Sequence, residues 1–188
     1  MQRIVLGSNS ITRAELLSSF GIPFMQRGAS FDEESLGIKN PAHFVYRATI
    51  GKMNSYVEEF GLEIPVVCAD TVVTCKNKLL RKAKDVNDAR EILLTQSGSV
   101  VSILTCMVYK SNKIEFIDLS STDYVFNKFD ENALEEYLQG NDWKGKAGAC
   151  MVEGFCKDYI KEVRGYESTA MGLCVEKLLP FLEDKNVH

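Results

Sequence analysis

Histidine is almost absent: in 188 residues only His43 and His188 carry an imidazole. A His-rich metal site and a Ser-His-Asp triad therefore have little material to work with. The six cysteines, Cys68, Cys75, Cys106, Cys150, Cys156 and Cys174, contain no CxxC pair, and most sit in apolar stretches such as VVCAD, ILTCMVY and MGLCVEK. They read as reduced core thiols of a cytoplasmic protein. No run approaches the roughly 20 apolar residues that cross a bilayer. The start, MQRIVLGSNS, has one Arg and no small-residue cleavage site behind a long apolar core, so the expectation is a chain neither membrane-spanning nor secreted. A basic surplus is missing too. With 22 Lys and Arg against 26 Asp and Glu, a formal charge of −4 argues against wrapping a nucleic-acid polymer. No GxxxxGK[ST] occurs, which removes the common P-loop.

What is present suits one compact α/β unit or two small lobes sharing a core. At 45% hydrophobic and 26% charged residues, the chain can bury enough apolar surface to order itself. Strand and helix signals alternate from the first residues. A β-branched run at 2–6 enters Gly7-Ser8-Asn9-Ser10, and apolar residues at 11, 14, 16, 17 and 20 predict a helix capped by Ser10. IPFMQRG predicts a second strand. Asn40-Pro41 opens a long helix, which Gly51 weakens without ending. IPVVCADTVVTCK reads as a buried strand or strand pair broken at Asp70, with a tight turn at Lys76-Asn77-Lys78. Asp85 and Asp88 resemble a capping box before VNDAREILLTQ. SVVSILTCMVY and IEFIDLSSTDYVFN predict a hairpin, and DENALEEYLQG a short amphipathic helix. ACMVEGF and YIKEVRG predict two short strands, followed by one final helix over roughly 168–182.

Three segments carry chemistry. LGSNSITRAELL runs from strand through small polar residues into a helix N-terminus, where unpaired N–H groups and the dipole favour an anion and Arg13 offers a forked donor. An ordinary capped turn with a surface Arg fits the same residues. In CADTVV, Asp70 is an acid inside an apolar run. It must bind a metal, act as a base, or be held by Thr71 and backbone N–H groups. Asp32-Glu33-Glu34 is a solvated charge run or, with Asp70, part of an oxygen-ligand site for a hard divalent ion. Lys52, Arg81, Lys82, Lys144 and Lys146 are scattered cations that could converge on one pocket or simply face solvent.

Nearly the whole chain, in order, resembles the Maf family of nucleotide pyrophosphatases, once described as septum-formation inhibitors. The match runs through LGSNSITRAELL, FDEE, the Lys of RATIGKM, CADTVV, the Lys of RKAKD, the SG of LLTQSGS, KGKAGA, Glu153-Gly154 and Gly172-Leu173. The resemblance implies an elongated mixed sheet flanked by helices, with two lobes around a central cleft, as in Maf and ITPase-like folds, and a single domain over 1–188. It implies hydrolysis of a nucleoside triphosphate between the α and β phosphates, with Mg²⁺ or Mn²⁺ as cofactor. Ser8, Ser10, Arg13, Lys52, Lys82 and Lys146 then contact the triphosphate, and Glu33 and Asp70 position the ion and the attacking water. A homodimer is also implied.

Some positions depart from the family pattern. Arg81-Lys82-Ala83 replaces Gly-Lys-Pro, Gly145 replaces an Asp, and Val101 stands near a usual His. Glu153 replaces the commoner Gln, and a strand-edge acid facing solvent fits the same residue. A carboxylate accepts from two donors and suits the guanine edge, with 7-methyl-GTP a further fit, whereas an amide suits a pyrimidine such as that of dTTP or UTP. Glu153-Gly154 is similar to the family branch that acts on 7-methyl-GTP, whereas Thr12 does not match that branch's bulky aromatic and ADTVV follows the other branch. An alternative expectation is a nucleotide-binding regulator of cell division, with little or no catalysis.

Overall fold

A computed structural model describes residues 1–183. His188 and the end of the expected 1–188 domain lie outside the described residues.

The elements follow in the order β1 (Ile4–Leu6), α1 (Ile11–Ser19), β2 (Phe24–Gln26), α2 (Pro41–Phe60), β3 (Val66–Cys75), β4 (Lys78–Leu80), α3 (Val86–Gln96), β5 (Val100–Lys110), β6 (Glu115–Phe126), α4 (Glu131–Gln139), β7 (Ile160–Arg164), α5 (Glu167–Ala170) and α6 (Val175–Leu182). The strands form one mixed seven-stranded sheet in the order β2-β1-β3-β5-β6-β7, with β4 beside β3. The predicted α/β class and the β5–β6 hairpin are both present.

Period-two alternation along β3 and β5 divides the core. Val67, Ala69, Met107 and Tyr109 face α1 and α6, packing on Leu16, Leu17, Leu178 and Leu182. Val66, Cys68 and Val108 face the other way, onto Met53 and Tyr56 of α2. Farther along the first face, Val101, Ile103, Tyr124 and Phe126 pack on Leu93 of α3, Leu134 and Leu138 of α4, and Trp143. The long strands thus run through two cores, one under α1 and α6 and one under α3 and α4.

β3 is one continuous strand, not a pair broken at Asp70. Its full pairing with β5 from Val66↔Lys110 to Cys75↔Val101 keeps it extended. On the opposite edge, β1 pairs with it only through Val66 and Val67, and β4 only from Val73 onward. Asp70 and Thr71 sit in the gap between, which is where a cleft can enter the sheet.

Two other expectations change. ACMVEGF is irregular turn rather than strand, with Ala149 at φ 56°. The expected final helix is split into α5 and α6 at Gly172, whose φ of 105° no continuous helix accommodates.

Candidate active site at the gap in the sheet

Neighbouring residues of β3 point to opposite faces, so Asp70 and Thr71 build two different halves of the site. Asp70 faces α2. It is 6% exposed, and its Oδ1 accepts from Lys52 Nζ at 2.7 Å. The same ammonium lies 2.6 Å from Glu33 Oε1. Asp70 Oδ2 is buried with no partner. Burial pushes the Asp70 carboxyl up from its ordinary range and Glu33 adds to the rise, while Lys52 and Arg13 oppose it.

Glu33 reaches this point because its loop is pinned to α2. A Cβ on Gly51 would fall inside the Phe31 ring. The glycine that weakens the helix is therefore what lets Phe31 pack there, two residues before Glu33.

Thr71 faces α1, not Asp70 as one sequence alternative had it. Arg13 is anchored on three sides: Nε donates to the Gly172 carbonyl at 2.7 Å, Nη1 to Ser8 Oγ at 3.1 Å, and Nη2 to Thr71 Oγ1 at 3.2 Å. Burial lowers its pKa, with Asp70 and Glu33 favouring the charged form. Ser10 caps α1 by accepting from the Arg13 N–H, and Ser8 accepts from the Ser10 N–H. A hydroxyl that accepts keeps its own proton to donate.

Two cavities share Val73 and Ala147 in their walls. One, of about 530 Å³, is lined by Phe31, Glu33, Thr71, Arg81 and Lys82. The other, of about 350 Å³, is lined by Thr12, Gln96, Phe126, Lys146, Glu153 and Met171. Lys82 bridges to Ala147, and the Gly148 N–H donates to the Arg81 carbonyl at 3.2 Å. The segments carrying Lys82 and Lys146 are thereby tied together across the cleft. Arg81 lies over the Phe44 ring at 5.6 Å. Val101 is core, and Gly145 sits at φ 73°.

Of the residues singled out in the sequence, Glu33, Lys52 and Asp70 form one cluster, and Ser8, Ser10 and Arg13 another. Lys82 lines the first cavity; Lys146 and Glu153 line the second. Sequence reasoning missed Gln96, whose buried amide donates to the Gly148 carbonyl at 2.6 Å and holds that loop. A buried Gln at the end of an amphipathic helix was the available signal. It also missed the pairing of Cys150 and Cys156 as a disulfide flanking the Glu153 turn. This corrects the expectation of six reduced thiols, which failed because the turn brings two cysteines together without a CxxC spacing. The other four are buried single thiols, with burial pushing Cys68 up to about 12 and Cys106 to about 11.

A divalent ion fits the acidic half. Among the described residues, no group of three or more His, Cys, Asp or Glu side chains could hold one. Two carboxylates, one with an unpartnered oxygen, match Mg²⁺, which takes one or two protein carboxylates and fills its remaining positions with phosphate oxygens and water. Among the described residues no helix is long and apolar enough to cross a membrane.

The family described as "Maf-like protein" matches residues 3–185. The chain is 56% identical over 183 residues to a nucleoside triphosphate pyrophosphatase of a Nitratiruptor species, covering 96% of this chain and 99% of the relative. It is 40% identical over 180 residues to a protein of the same name from Helicobacter pylori, covering 96% and 95%. Among solved structures it resembles the Staphylococcus aureus Ham1 protein, with a TM-score of 0.55 at 15% identity over 98% of this chain and 100% of that one. It also resembles a nucleoside-triphosphatase / dITP/XTP pyrophosphatase of Mycobacterium abscessus, with a TM-score of 0.51 at 14% identity over 96% of each chain. These two likenesses carry the fold.

Proposed function

The chain belongs to the Maf-like family, and on that premise we propose that it works as a nucleoside triphosphate pyrophosphatase. It releases the nucleoside monophosphate and pyrophosphate. The observation that carries this is the placement of a pinned guanidinium and a buried, raised-pKa carboxylate on opposite faces of β3 at one gap in the sheet. A triphosphate entering the gap meets cations from one face and a base from the other.

Arg13, Ser8 and Ser10 bind the triphosphate from the α1 side, and Lys82 and Lys146 from the facing loops. Asp70, as the carboxylate, orients a water in line with the α-phosphorus and takes its proton as the bond to the pyrophosphate breaks. Lys52 holds Glu33 and Asp70 in register and limits the repulsion between two acids and a polyanion. Glu33 and Asp70 would hold a Mg²⁺ or Mn²⁺ ion, which when bound neutralises charge developing on the leaving pyrophosphate. Glu153, exposed at the mouth of the second cavity, accepts from the base edge. A carboxylate there favours a guanine or 7-methylguanine nucleotide over dTTP or UTP.

The test is incubation with canonical and methylated nucleoside triphosphates plus Mg²⁺ or Mn²⁺, with monophosphate, pyrophosphate and single phosphate detected separately. Equal monophosphate and pyrophosphate are expected. Release of single phosphates would overturn α–β cleavage, and binding without turnover would favour a regulator. Glu153→Gln should shift preference from guanine toward pyrimidine nucleotides; unchanged selectivity would remove the base-edge role.

A further inference from the structure

Arg13 is held by a polarised hydroxyl chain that runs across one face of the sheet, from β3 to β5. Thr105 on β5 is fully buried and lies directly opposite Thr71 in the β3–β5 register. Its Oγ1 donates to the Thr169 carbonyl at 2.7 Å and lies 2.9 Å from Thr71 Oγ1. A threonine hydroxyl has one proton. Thr105 has given its proton to Thr169, so in the Thr71–Thr105 bond Thr71 is the donor. Thr71 then meets Arg13 Nη2 only with a lone pair, which is what a guanidinium requires.

The far end of the chain is fixed as well. Thr169 and Gly172 belong to the turn that splits the C-terminal helix, where the Gly172 N–H donates back to the Thr169 carbonyl at 3.1 Å. The Gly172 carbonyl accepts from Arg13 Nε. A Cβ on Gly172 would stand 3.2 Å from both Arg13 Nε and Thr71 Oγ1, so the turn fits tightly against the guanidinium. Thr122 Oγ1 on β6 donates to the Tyr166 carbonyl at 2.6 Å and ties the same segment to the sheet.

Counting donors shows what the chain achieves. A guanidinium has five N–H groups. Nε–H, one on Nη1 and one on Nη2 are spent on Gly172, Ser8 and Thr71. One N–H on each terminal nitrogen is left to donate to phosphate oxygens.

We propose that Thr105 is a positioning residue for triphosphate binding, acting through Thr71 to fix the orientation of the Arg13 guanidinium. This rests on the proposed pyrophosphatase function. Thr105 touches no substrate. Its part is to set the direction of Thr71's proton, so that Arg13 is oriented before the nucleotide arrives.

The experiment compares wild type, Thr105→Val, Thr105→Ser, Arg13→Ala and the Thr105→Val/Arg13→Ala double variant by steady-state kinetics on the full chain. Thr105→Val is expected to lower kcat/KM about tenfold, mainly through KM, the scale of one charge-assisted hydrogen bond. Thr105→Ser keeps the hydroxyl and should stay within about twofold of wild type, since the chain needs only the proton. On Arg13→Ala, adding Thr105→Val should cost nothing further, because the two act as one unit.

Three results would overturn the proposal: wild-type kcat/KM in Thr105→Val, a Thr105→Ser as impaired as Thr105→Val, or an undiminished Thr105→Val effect on Arg13→Ala. Thr105→Ala takes the same place if the valine variant does not fold. Hydrogen exchange of the Arg13 Nε–H, followed by NMR without nucleotide, reads the chain independently. It should be slow in wild type and Thr105→Ser and faster in Thr105→Val; equal rates would also overturn the proposal. Should wild type release no pyrophosphate, the functional proposal falls, and the exchange measurement still decides whether Thr105 positions Arg13.

Discussion

Lys52 Nζ donates to Asp70 Oδ1 at 2.7 Å, and the other oxygen of that carboxylate, buried, meets no partner. One oxygen is structural and the other is available for chemistry. The division follows from placing an acid inside a strand whose neighbours on that face are apolar. The cost is a buried charge that one ammonium, shared with Glu33, only partly offsets.

Asp70→Asn should lose turnover by about 10²–10⁴-fold, the usual scale for removing a general base. Its folded state should be no less stable than wild type at neutral pH, because the raised Asp70 pKa marks a charge the fold disfavours. Kinetics and thermal unfolding on the same sample check both. Near wild-type turnover with intact folding would remove the catalytic role.

The rate should depend on the ionisation of Asp70. A raised carboxyl pKa means that kcat/KM rises with pH across a window above the ordinary carboxylate range, and Asp70→Asn should flatten that acid limb. For stability the sign is opposite. An acid with a folded pKa above its unfolded one destabilises the fold as pH rises through the window, because the native state holds a proton the unfolded state has already lost. Paired pH profiles of rate and unfolding separate the two.

Gly51→Ala sets local propensity against packing. In an exposed helix interior the change would stabilise by roughly 1 kcal/mol. Here the new Cβ displaces Phe31 and with it the Glu33 loop. We expect kcat/KM to fall and the melting temperature to drop or stay level; a more stable and fully active variant would contradict the pinning role of Phe31.

Reducing the Cys150–Cys156 disulfide opens the loop that carries Glu153. Closing a loop of this size restricts the unfolded chain by about 2 kcal/mol, so reduction should lower the melting temperature by a few degrees. It should raise KM for the preferred nucleotide more than for the others, because Glu153 lies inside the loop and the phosphate-binding residues lie outside it. Thiol titration with and without a reductant, beside kinetics, tests this.

Mg²⁺ should bind the nucleotide-free chain weakly and the nucleotide complex much more tightly, since two carboxylates leave most of the coordination to phosphate and water. Calorimetric titration with and without a non-hydrolysable triphosphate measures the difference. Equal affinity in both states would place the ion elsewhere.

Much of this was legible from residue order. The Ser10 cap, the long helix opened by Asn40-Pro41 and the β5–β6 hairpin follow from local rules, which act over a few residues and so leave their mark in the sequence. Asp70 stood out because an acid in an apolar strand needs a reason. The split of the last helix could not be read from periodicity. The apolar spacing continues through Gly172, and the break there packs against Arg13, 159 positions away in the chain.

By itself, then, the sequence determined the α/β class, the Ser10-capped turn into α1 and the place of Asp70 as an acid within an apolar strand, because each depends on near neighbours along the chain. Only the tertiary structure decided that Asp70 and Thr71 serve opposite faces of one gap, that Lys52 joins Glu33 to Asp70, and that Thr105, 34 positions beyond Thr71, bonds the hydroxyl that meets Arg13. Those relations depend on strand register, where β1 and β4 leave β3 and which residue of β5 lies opposite. Register is set by the packing of the whole sheet.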